Sequence, residues 1–284
     1  TGSIERPLIF NNNDRPGIIL SSSIKKFIDF YGVKTGKKIS IFTNNDSAYE
    51  TVISLHKSGI EIGKIIDIRE KCSSSLINQV EKLGIKILWK HTVVQTSGYK
   101  RIKSIEIMKL SENGETVIGN KIKEKCDCLG ISGGWTPMVH LFTQSGGKLK
   151  FRKDDNVFVP DLDKTPSNQI SVGSCNGDFE LEDVIKKTLV SVKKFINIKN
   201  TDLDNLNITC SKETSKKNIW LLPSDKPLSK TKPFLDFQND STAKDVKLAL
   251  REGFKSIEHV KRYTTTGMGT DQGKLGNMHA LGII

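Results

Sequence analysis

The stretch KISIFTNNDSAYETVISLHKSGIEIGKIIDI, residues 38–68, decides the fold class. Apolar runs typical of buried strands alternate here with segments of helical periodicity that end at glycines. The alternation continues past residue 68. It predicts, in order, a strand over 38–42, a helix over 47–58, a strand over 65–68, a helix over 74–83 and a strand over 85–89. This βαβαβ order is typical of an α/β fold with a doubly wound parallel sheet.

The flanks add further elements to this core. Three alternating runs within 93–123 predict an antiparallel meander packed on the sheet, because strands with one buried face alternate apolar and polar residues. The remaining predicted elements are a helix over 24–31, buried strands over 126–131 and 169–172, a helix over 181–195, and short helices within 233–284.

Charge and composition narrow the function classes. Lys and Arg total 44 against 32 Asp and Glu, a net charge of +12. The lysines are spread along the chain with few aromatic residues between them, which argues against a nucleic-acid surface. The charge suits anionic cofactors or an acidic partner subunit. No apolar run is long enough for a membrane span, so we expect no membrane association. The chain does not open with Met, and we expect an internal piece of a longer protein.

The cysteines and histidines do not form a recognisable catalytic or metal site. The five cysteines are odd in number and irregularly spaced, which predicts a reducing, cytoplasmic setting without disulfides. Cys126 and Cys128 are interpreted as buried thiols. The histidines are scattered, and we predict no metal ligand and no catalytic acid, base or nucleophile in this chain. These histidines are His56, His91, His140, His259 and His279.

The turn at 43–46 stands where a dinucleotide-binding fold places its glycine-rich loop, and Asp67 lies where a carboxylate would bind the ribose. The turn contains no glycine, so a pyrophosphate could not approach its backbone. We therefore predict that this nucleotide-type pocket is closed or vestigial, with Asp67 at a strand end in a surface loop.

Two other turns follow predicted strands, Ser132-Gly133-Gly134 and the segment 173–178, GSCNGD. Glycines there could aim backbone N–H groups at a phosphate, and a helix beginning at Leu181 would add its dipole. An ordinary strand-to-helix turn explains the same pattern equally well.

Thr1-Gly2 followed by Arg6-Pro7 resembles the crossover of two-domain flavoprotein and pyridine-nucleotide oxidoreductases. In that family the first dinucleotide domain is split around a second one. The resemblance implies that 173–178 belongs to the returning half of the split domain, and that the dinucleotide, NAD or FAD, is bound there. We chose NAD. The implied contacts are Thr1, Gly2, Gly173, Ser174, Cys175, Phe179 and Leu181.

The string KRYTTTGMGTDQGK, residues 261–274, resembles the α-subunit family of heterotetrameric sarcosine oxidase, as do 132–137, SGGWTP, and 144–148, QSGGK. The resemblance covers essentially the whole chain. It implies FMN at the interface with a β subunit, FAD on that β subunit, and γ and δ subunits in the assembly. It also implies a tetrahydrofolate domain beyond residue 284. The implied FMN contacts are Lys261, Arg262, Thr264, Thr265, Thr266, Gln272 and Lys274. A capped helix–turn–helix with surface lysines is the alternative.

Related amino-acid dehydrogenases carry a small helical [2Fe–2S] module, and the end of this chain resembles it without its cysteines. The four ligand positions fall at or near Asp236, Gln238, Asp271 and Gly276. Because the thiolates are absent, the module cannot hold an iron–sulfur cluster as those proteins do.

Together these features predict a Rossmann-type region followed by a cluster-less helical domain. The predicted segments are a crossover over 1–37, an inserted Rossmann-like domain over 38–135, a returning half over 136–197, a linker over 198–232 and the helical domain over 233–284. The resemblance implies oxidation of sarcosine to glycine, with the one-carbon unit passed to tetrahydrofolate and hydrogen peroxide formed. The isolated piece should be inactive. The alternatives are another flavin-linked amine or amino-acid dehydrogenase subunit, and a non-catalytic docking module.

Overall fold

The computed structural model describes residues 2–165, 169–196 and 218–284. The strands in these ranges are β1 (Ser3–Glu5), β2 (Ile18–Leu20), β3 (Lys38–Thr43), β4 (Glu61–Asp67), β5 (Ile87–Trp89), β6 (His91–Ser97), β7 (Ser104–Leu110), β8 (Val117–Lys125), β9 (Cys128–Ser132), β10 (Trp135–Pro137), β11 (Leu149–Arg152), β12 (Val157–Pro160), β13 (Phe234–Asp236) and β14 (Ser241–Thr242). The α-helices are α1 (Ser21–Asp29), α2 (Ser47–Lys57), α3 (Ser75–Lys82), α4 (His140–Gln144), α5 (Leu181–Ile196), α6 (Ala243–Arg251), α7 (Ile257–Thr264) and α8 (Asn277–Ile283).

The chain divides into two compact units. A small unit comprises Thr1–Ile4 and Trp135–Glu213, and a large unit comprises Glu5–Gly134 and Thr214–Ile284. The large unit contains a parallel sheet in the order β2-β9-β3-β4-β5. From β3 the chain moves outward through α2, β4 and α3 to β5, and later returns to place β9 on the other side of β3. This order is that of a doubly wound sheet, which confirms the predicted α/β fold class.

The parallel sheet lies between two different layers. On one face, α1, α2 and α3 cover a core that includes Ile41, Val52 and Ile65. On the other, the antiparallel meander β6-β7-β8 covers a core that includes Phe42 and Ile107. The predicted meander is therefore confirmed. The central strand β3 is apolar on both faces because each face contacts a layer, as expected for a parallel strand.

The end of the chain forms a small helical module within the large unit. Helices α6, α7 and α8 pack around Val246, Val260 and Ala280, and the short hairpin β13–β14 closes one side. Helix α6 begins with a capping box, in which Asp245 Oδ2 accepts from the backbone N–H of Thr242 at 2.8 Å. The predicted short helices of this segment are confirmed.

The connection to this module differs from the predicted linker over 198–232. Residues 197–217 lie outside the described residues. The rest of the segment is packed rather than extended: Leu222 is buried in the core between sheet and meander, and its N–H donates to Ile9 O at 2.9 Å. Asn13 attaches the helical module to the segment after β1. Its side-chain amide donates to Phe234 O at 2.9 Å and accepts from Phe234 N–H at 2.8 Å. This segment is polar in composition, but a few apolar residues such as Leu222 pack it against the core.

The small unit has short strands and one long helix. Strand β1 pairs with β10, and β11 pairs antiparallel with β12. The predicted strand over 169–172 is wrong. These residues are irregular, and a 3₁₀ helix follows at Gly173–Asn176. Two apolar residues, Ile170 and Val172, between polar ones do not fix strand pairing unless a neighbouring strand pairs with them.

None of the helices in the described ranges combines the length and apolar character that crossing a membrane requires.

Candidate functional site

The switch point of the doubly wound sheet, where a nucleotide would be expected, lies between the ends of β3 and β9. Here hydrogen bonds join the two strand ends. Asn44 N–H donates to Ser132 O at 3.2 Å, and Asn45 Nδ2 donates to Ser132 Oγ at 2.9 Å. Asn45 Oδ1 also accepts from the N–H of Ser47 at 3.1 Å. Hydrogen bonds within the protein therefore occupy the N–H groups of this turn that a phosphate would need as donors.

Arg69 completes the closure of this pocket. Its guanidinium is buried, with a relative exposure of 3 %, and bonds Asp46 at 2.7 Å and Asp67 at 2.8 Å. Tyr49 donates its hydroxyl to Asp67 at 2.9 Å. Burial opposes the charged form of Arg69, but its hydrogen bonds to both carboxylates outweigh this and raise its pKa. The fully buried Asp67 is thus neutralised from within and is not free to hold a ribose.

This geometry corrects one expectation. Asp67 does not lie in a surface loop; it ends β4 inside the protein, fully enclosed. Sequence reasoning missed Arg69, because it considered the carboxylate without asking which cation would neutralise it once buried. The spacing Asp67-x-Arg69 was the available signal, since a buried carboxylate requires a partner.

The predicted dinucleotide contacts that are described lie in the small unit. Gly2 approaches Ser174, since a Cβ on Gly2 would lie 3.6 Å from Ser174 Oγ. Gly173 has a positive φ of 79°, as its place in the tight turn requires. Cys175 follows in the same 3₁₀ helix, and Leu181 begins α5. Phe179 lies between them, and Thr1 lies outside the described residues.

The charge near the start of α5 decides which part of a nucleotide this segment could hold. Glu182 and Asp183 occupy the first turn, so carboxylates already complement the helix dipole. Asp178 is buried and bonds Asn176 at 3.0 Å and the ammonium of Lys187. These acids would repel a phosphate, whereas carboxylates and backbone groups accept well from sugar hydroxyls. The residues present fit a ribose or ribityl chain better than a pyrophosphate.

The loop between α7 and α8, residues 265–276, is anchored by the side chains of Asp236, Gln238 and Asp271. The resemblance aligns these residues with cysteines that hold an iron–sulfur cluster in other proteins. Asp236 Oδ2 accepts from the N–H of Gly267 at 2.8 Å. Gln238 Oε1 accepts from Thr270 N–H at 2.6 Å and from its hydroxyl at 2.8 Å. Asp271 accepts from the N–H groups of Gly273 and Leu275 at 3.1 and 3.3 Å. Hydrogen bonds therefore fix the loop where the resemblance places metal ligands in other proteins.

Two predicted FMN contacts face inward instead. Thr264 and Thr266 are buried, and the Thr264 hydroxyl donates to Val260 O at 2.8 Å and lies 2.8 Å from that of Thr266. The N–H of Gly267 is used by Asp236, so it cannot converge on a phosphate either. The hydroxyls of Thr264 and Thr266 are thus used inside the module.

The remaining predicted contacts are accessible. Arg262, Thr265, Gln272 and Lys274 are exposed, and Lys261 is half-buried. Within residues 218–284 and the other described ranges, none of the three cations forms an ion pair. Free cations beside a rigid loop can bind an anion without first breaking internal bonds.

The C-terminal module and the chain as a whole match known proteins. The family described as sarcosine oxidase A3 domain matches residues 230–284. Over its full length the chain is 32 % identical to the sarcosine oxidase subunit alpha of Corynebacterium sp. strain P-1, and 31 % identical to that of Rhizobium meliloti strain 1021. Over its whole length the chain is therefore similar to sarcosine oxidase α subunits. It spans 30 % of the Corynebacterium relative and 27 % of the Rhizobium relative.

The crystal structure of L-proline dehydrogenase from P. horikoshii shares the fold of this chain. The TM-score is 0.65 at 20 % identity, covering 99 % of this chain and 51 % of the other. At this identity the likeness bears on the fold alone. It supports the predicted combination of a Rossmann-type region with a C-terminal helical module.

Proposed function

We propose that this chain is part of the α subunit of a flavin-dependent sarcosine oxidase. In the proposed reaction sarcosine is oxidised to glycine, the one-carbon unit passes to tetrahydrofolate, and dioxygen is reduced to hydrogen peroxide. The full-length identity to two sarcosine oxidase α subunits carries this proposal. The proposed partners are β, γ and δ subunits, with FAD on the β subunit and tetrahydrofolate on a domain outside this chain. A cytoplasmic location goes with it.

The proposed role of this chain is to bind and position cofactors. FMN, which would supply electron transfer when bound, is proposed to lie against the loop 265–276 at the interface with the β subunit. Lys261, Arg262 and Lys274 would pair with its phosphate, and Gln272 would donate a hydrogen bond. Thr265, whose hydroxyl donates to Thr264 O at 2.6 Å, would lie beside the phosphate. Their accessibility and lack of ion pairs support this assignment. No residue of this chain is proposed to be a catalytic acid, base or nucleophile.

The small unit is proposed to be the returning half of a split dinucleotide-binding domain. Gly2, Gly173–Cys175, Phe179 and Leu181 would line the sugar of NAD, with its phosphates held elsewhere. Helix α5 supports this proposal. None of its residues is buried, and its apolar residues Leu181, Val190 and Phe195 are each more than half exposed. An apolar face of this kind suits packing against a further layer.

Removal of the cations tests the FMN assignment. The triple variant Lys261→Ala, Arg262→Ala, Lys274→Ala, produced with the partner subunits, is expected to lower the FMN content of the purified complex at least tenfold, since each lost charge-assisted bond is worth about 1.5–3 kcal/mol. Lys255→Ala is the matched control, because Lys255 is an exposed lysine of the same module that forms no ion pair with any described residue. Normal FMN content in the triple variant would refute the assignment.

The second candidate, a docking module without nucleotide chemistry, is favoured by one observation. The pocket of the large unit's sheet is filled by Asn45, Arg69 and Asp67. We propose that this sheet binds no dinucleotide and serves as a platform for the C-terminal module. Isothermal titration of NAD and FMN against the chain, alone and with its partners, separates the two candidates: no binding in either setting favours the docking module.

A further inference from the structure

The loop 265–276 is held in a conformation that its own sequence disfavours. Thr265 has φ 59° and Gln272 has φ 53°. Residues other than glycine rarely adopt this left-handed region, and a β-branched residue such as Thr265 does so least readily. Both residues are among the proposed FMN contacts. Such a conformation persists only where surrounding bonds enforce it.

The enforcing bonds come from the hairpin β13–β14, which is distant in sequence. Asp236 uses both carboxylate oxygens. Oδ1 accepts from the N–H groups of Gln238 and Asn239 at 2.9 and 3.1 Å, while Oδ2 accepts from Asn239 Nδ2 at 3.1 Å and from Gly267 N–H at 2.8 Å. Although burial opposes ionisation, these hydrogen bonds outweigh it and lower the pKa of Asp236, so the carboxylate stays charged at neutral pH.

Three further contacts fix the loop in the same place. Gln238 Oε1 accepts hydrogen bonds from both the backbone N–H and the hydroxyl of Thr270. Ser241 donates its hydroxyl to Thr264 O at 2.6 Å, at the start of the loop. Asn277 fills the space beneath Gly267 and Gly273, where a Cβ would lie within about 2 Å of its side chain. The loop is thus held from the hairpin, from α8 and by its own glycines.

We propose that Asp236 and Gln238 are positioning residues, which hold the loop in the left-handed conformation that presents Thr265, Gln272 and the adjacent cations to the flavin phosphate. This inference rests on the proposed FMN assignment. Asp236 sets the first bend at Gly267, and Gln238 sets the second at Thr270. Neither side chain touches the flavin; both act through the backbone of the loop.

The test compares matched substitutions in the full-length chain, produced with its partner subunits. Asp236→Asn keeps the shape but replaces one carboxylate oxygen with an NH2 group, so the two N–H groups that this oxygen served lose their acceptor. Gln238→Leu removes the acceptor for Thr270, whereas Gln238→Glu keeps it. Asp240→Asn is the control, because Asp240 is exposed and its side chain forms no hydrogen bond within the described residues.

We expect Asp236→Asn and Gln238→Leu to speed amide hydrogen exchange in the loop about tenfold or more, and to lower the FMN content and change the visible circular dichroism of the flavin. Gln238→Glu should restore both readouts, and Asp240→Asn should leave both unchanged. Unchanged loop exchange in Gln238→Leu and in folded Asp236→Asn would overturn the positioning role. Faster exchange with an unaltered flavin would instead overturn the FMN assignment, and the positioning role in flavin binding with it. If Asp236→Asn fails to fold, the comparison of Gln238→Leu with Gln238→Glu tests the positioning role alone.

Discussion

At the scale of single residues, buried charge is the feature that sequence reasoning evaluates least well. Arg69 illustrates this, because its cation is shared between two buried carboxylates in a turn that the sequence marks only as polar. A guanidinium in this position both stabilises the fold and blocks the pocket. Loss of one partner from such a buried set leaves uncompensated charge in the interior.

Arg69→Ala is therefore expected to destabilise the chain by about 3–5 kcal/mol, because Asp46 and Asp67 would remain buried without their cation. Urea unfolding followed by circular dichroism measures the change. The control Arg262→Ala removes an exposed arginine without an ion pair, and should stay within about 0.5 kcal/mol of the parent. A loss below about 1 kcal/mol for Arg69→Ala would contradict the proposed neutralisation.

His279 makes a second prediction at this scale. It is fully enclosed edge-on to Trp220, and burial together with the nearby Arg6 lowers its pKa to about 3. The unfolded chain takes up this proton near its ordinary pKa of 6.5, whereas the folded chain does not until about pH 3. Its contribution to stability is thus complete above pH 6.5 and falls as the pH drops toward 3, by at most about 5 kcal/mol.

Melting temperatures between pH 7 and pH 4 check this dependence. His279→Leu should flatten the profile, because the proton uptake that favours unfolding is gone. The exposed His259→Ala should keep the parental slope. Equal slopes for His279→Leu and the parent would show that another group controls the acid sensitivity.

At the scale of elements, packing between α1 and the sheet depends on one glycine. A Cβ on Gly130 of β9 would lie 2.6 Å from Cδ1 of Ile41 and 2.7 Å from Cδ1 of Ile24. Gly130→Ala should destabilise the chain by about 1–3 kcal/mol through overpacking. Adding Ile24→Val and Ile41→Val removes both methyl groups. The triple variant should then be more stable than the sum of the single changes, as measured by urea unfolding. Strict additivity would contradict this packing.

The elements also show what the sequence could predict. The βαβαβ core and the meander were predictable because long periodic segments with glycine stops carry their own structure. The strand expected over 169–172 failed because this segment has only two apolar residues, Ile170 and Val172, and they do not fix a pairing. The docking of Leu222 and the bonds of Asn13 to Phe234 depend on contacts between distant segments, which no local pattern encodes.

For the candidate site, the sequence motif names residues but not the direction in which their side chains point. The accessible cations Lys261, Arg262 and Lys274 follow from the motif. The inward direction of Thr264 and Thr266 does not, because it depends on the left-handed turn at Thr265 and on Asp236 across the module. A run of three hydroxyl residues carries no signal for which of them faces the core.

At the scale of the whole molecule, the proposed function of this chain is to bind cofactors within a larger oxidoreductase. The net charge of +12 and the free cations near the loop agree with an anionic cofactor at a subunit interface. The closed pocket of the large unit's sheet agrees with a structural role for that region. The cofactor-facing chemistry would then concentrate in the C-terminal module and the small unit.

The most direct test of this account is hydrogen exchange on the assembled complex, compared with and without its FMN. The account predicts that FMN slows exchange in peptides covering 261–274, and leaves those covering the closed turn at 43–46 unchanged. Protection at 43–46, or exchange at 261–274 that does not respond to FMN, would contradict it.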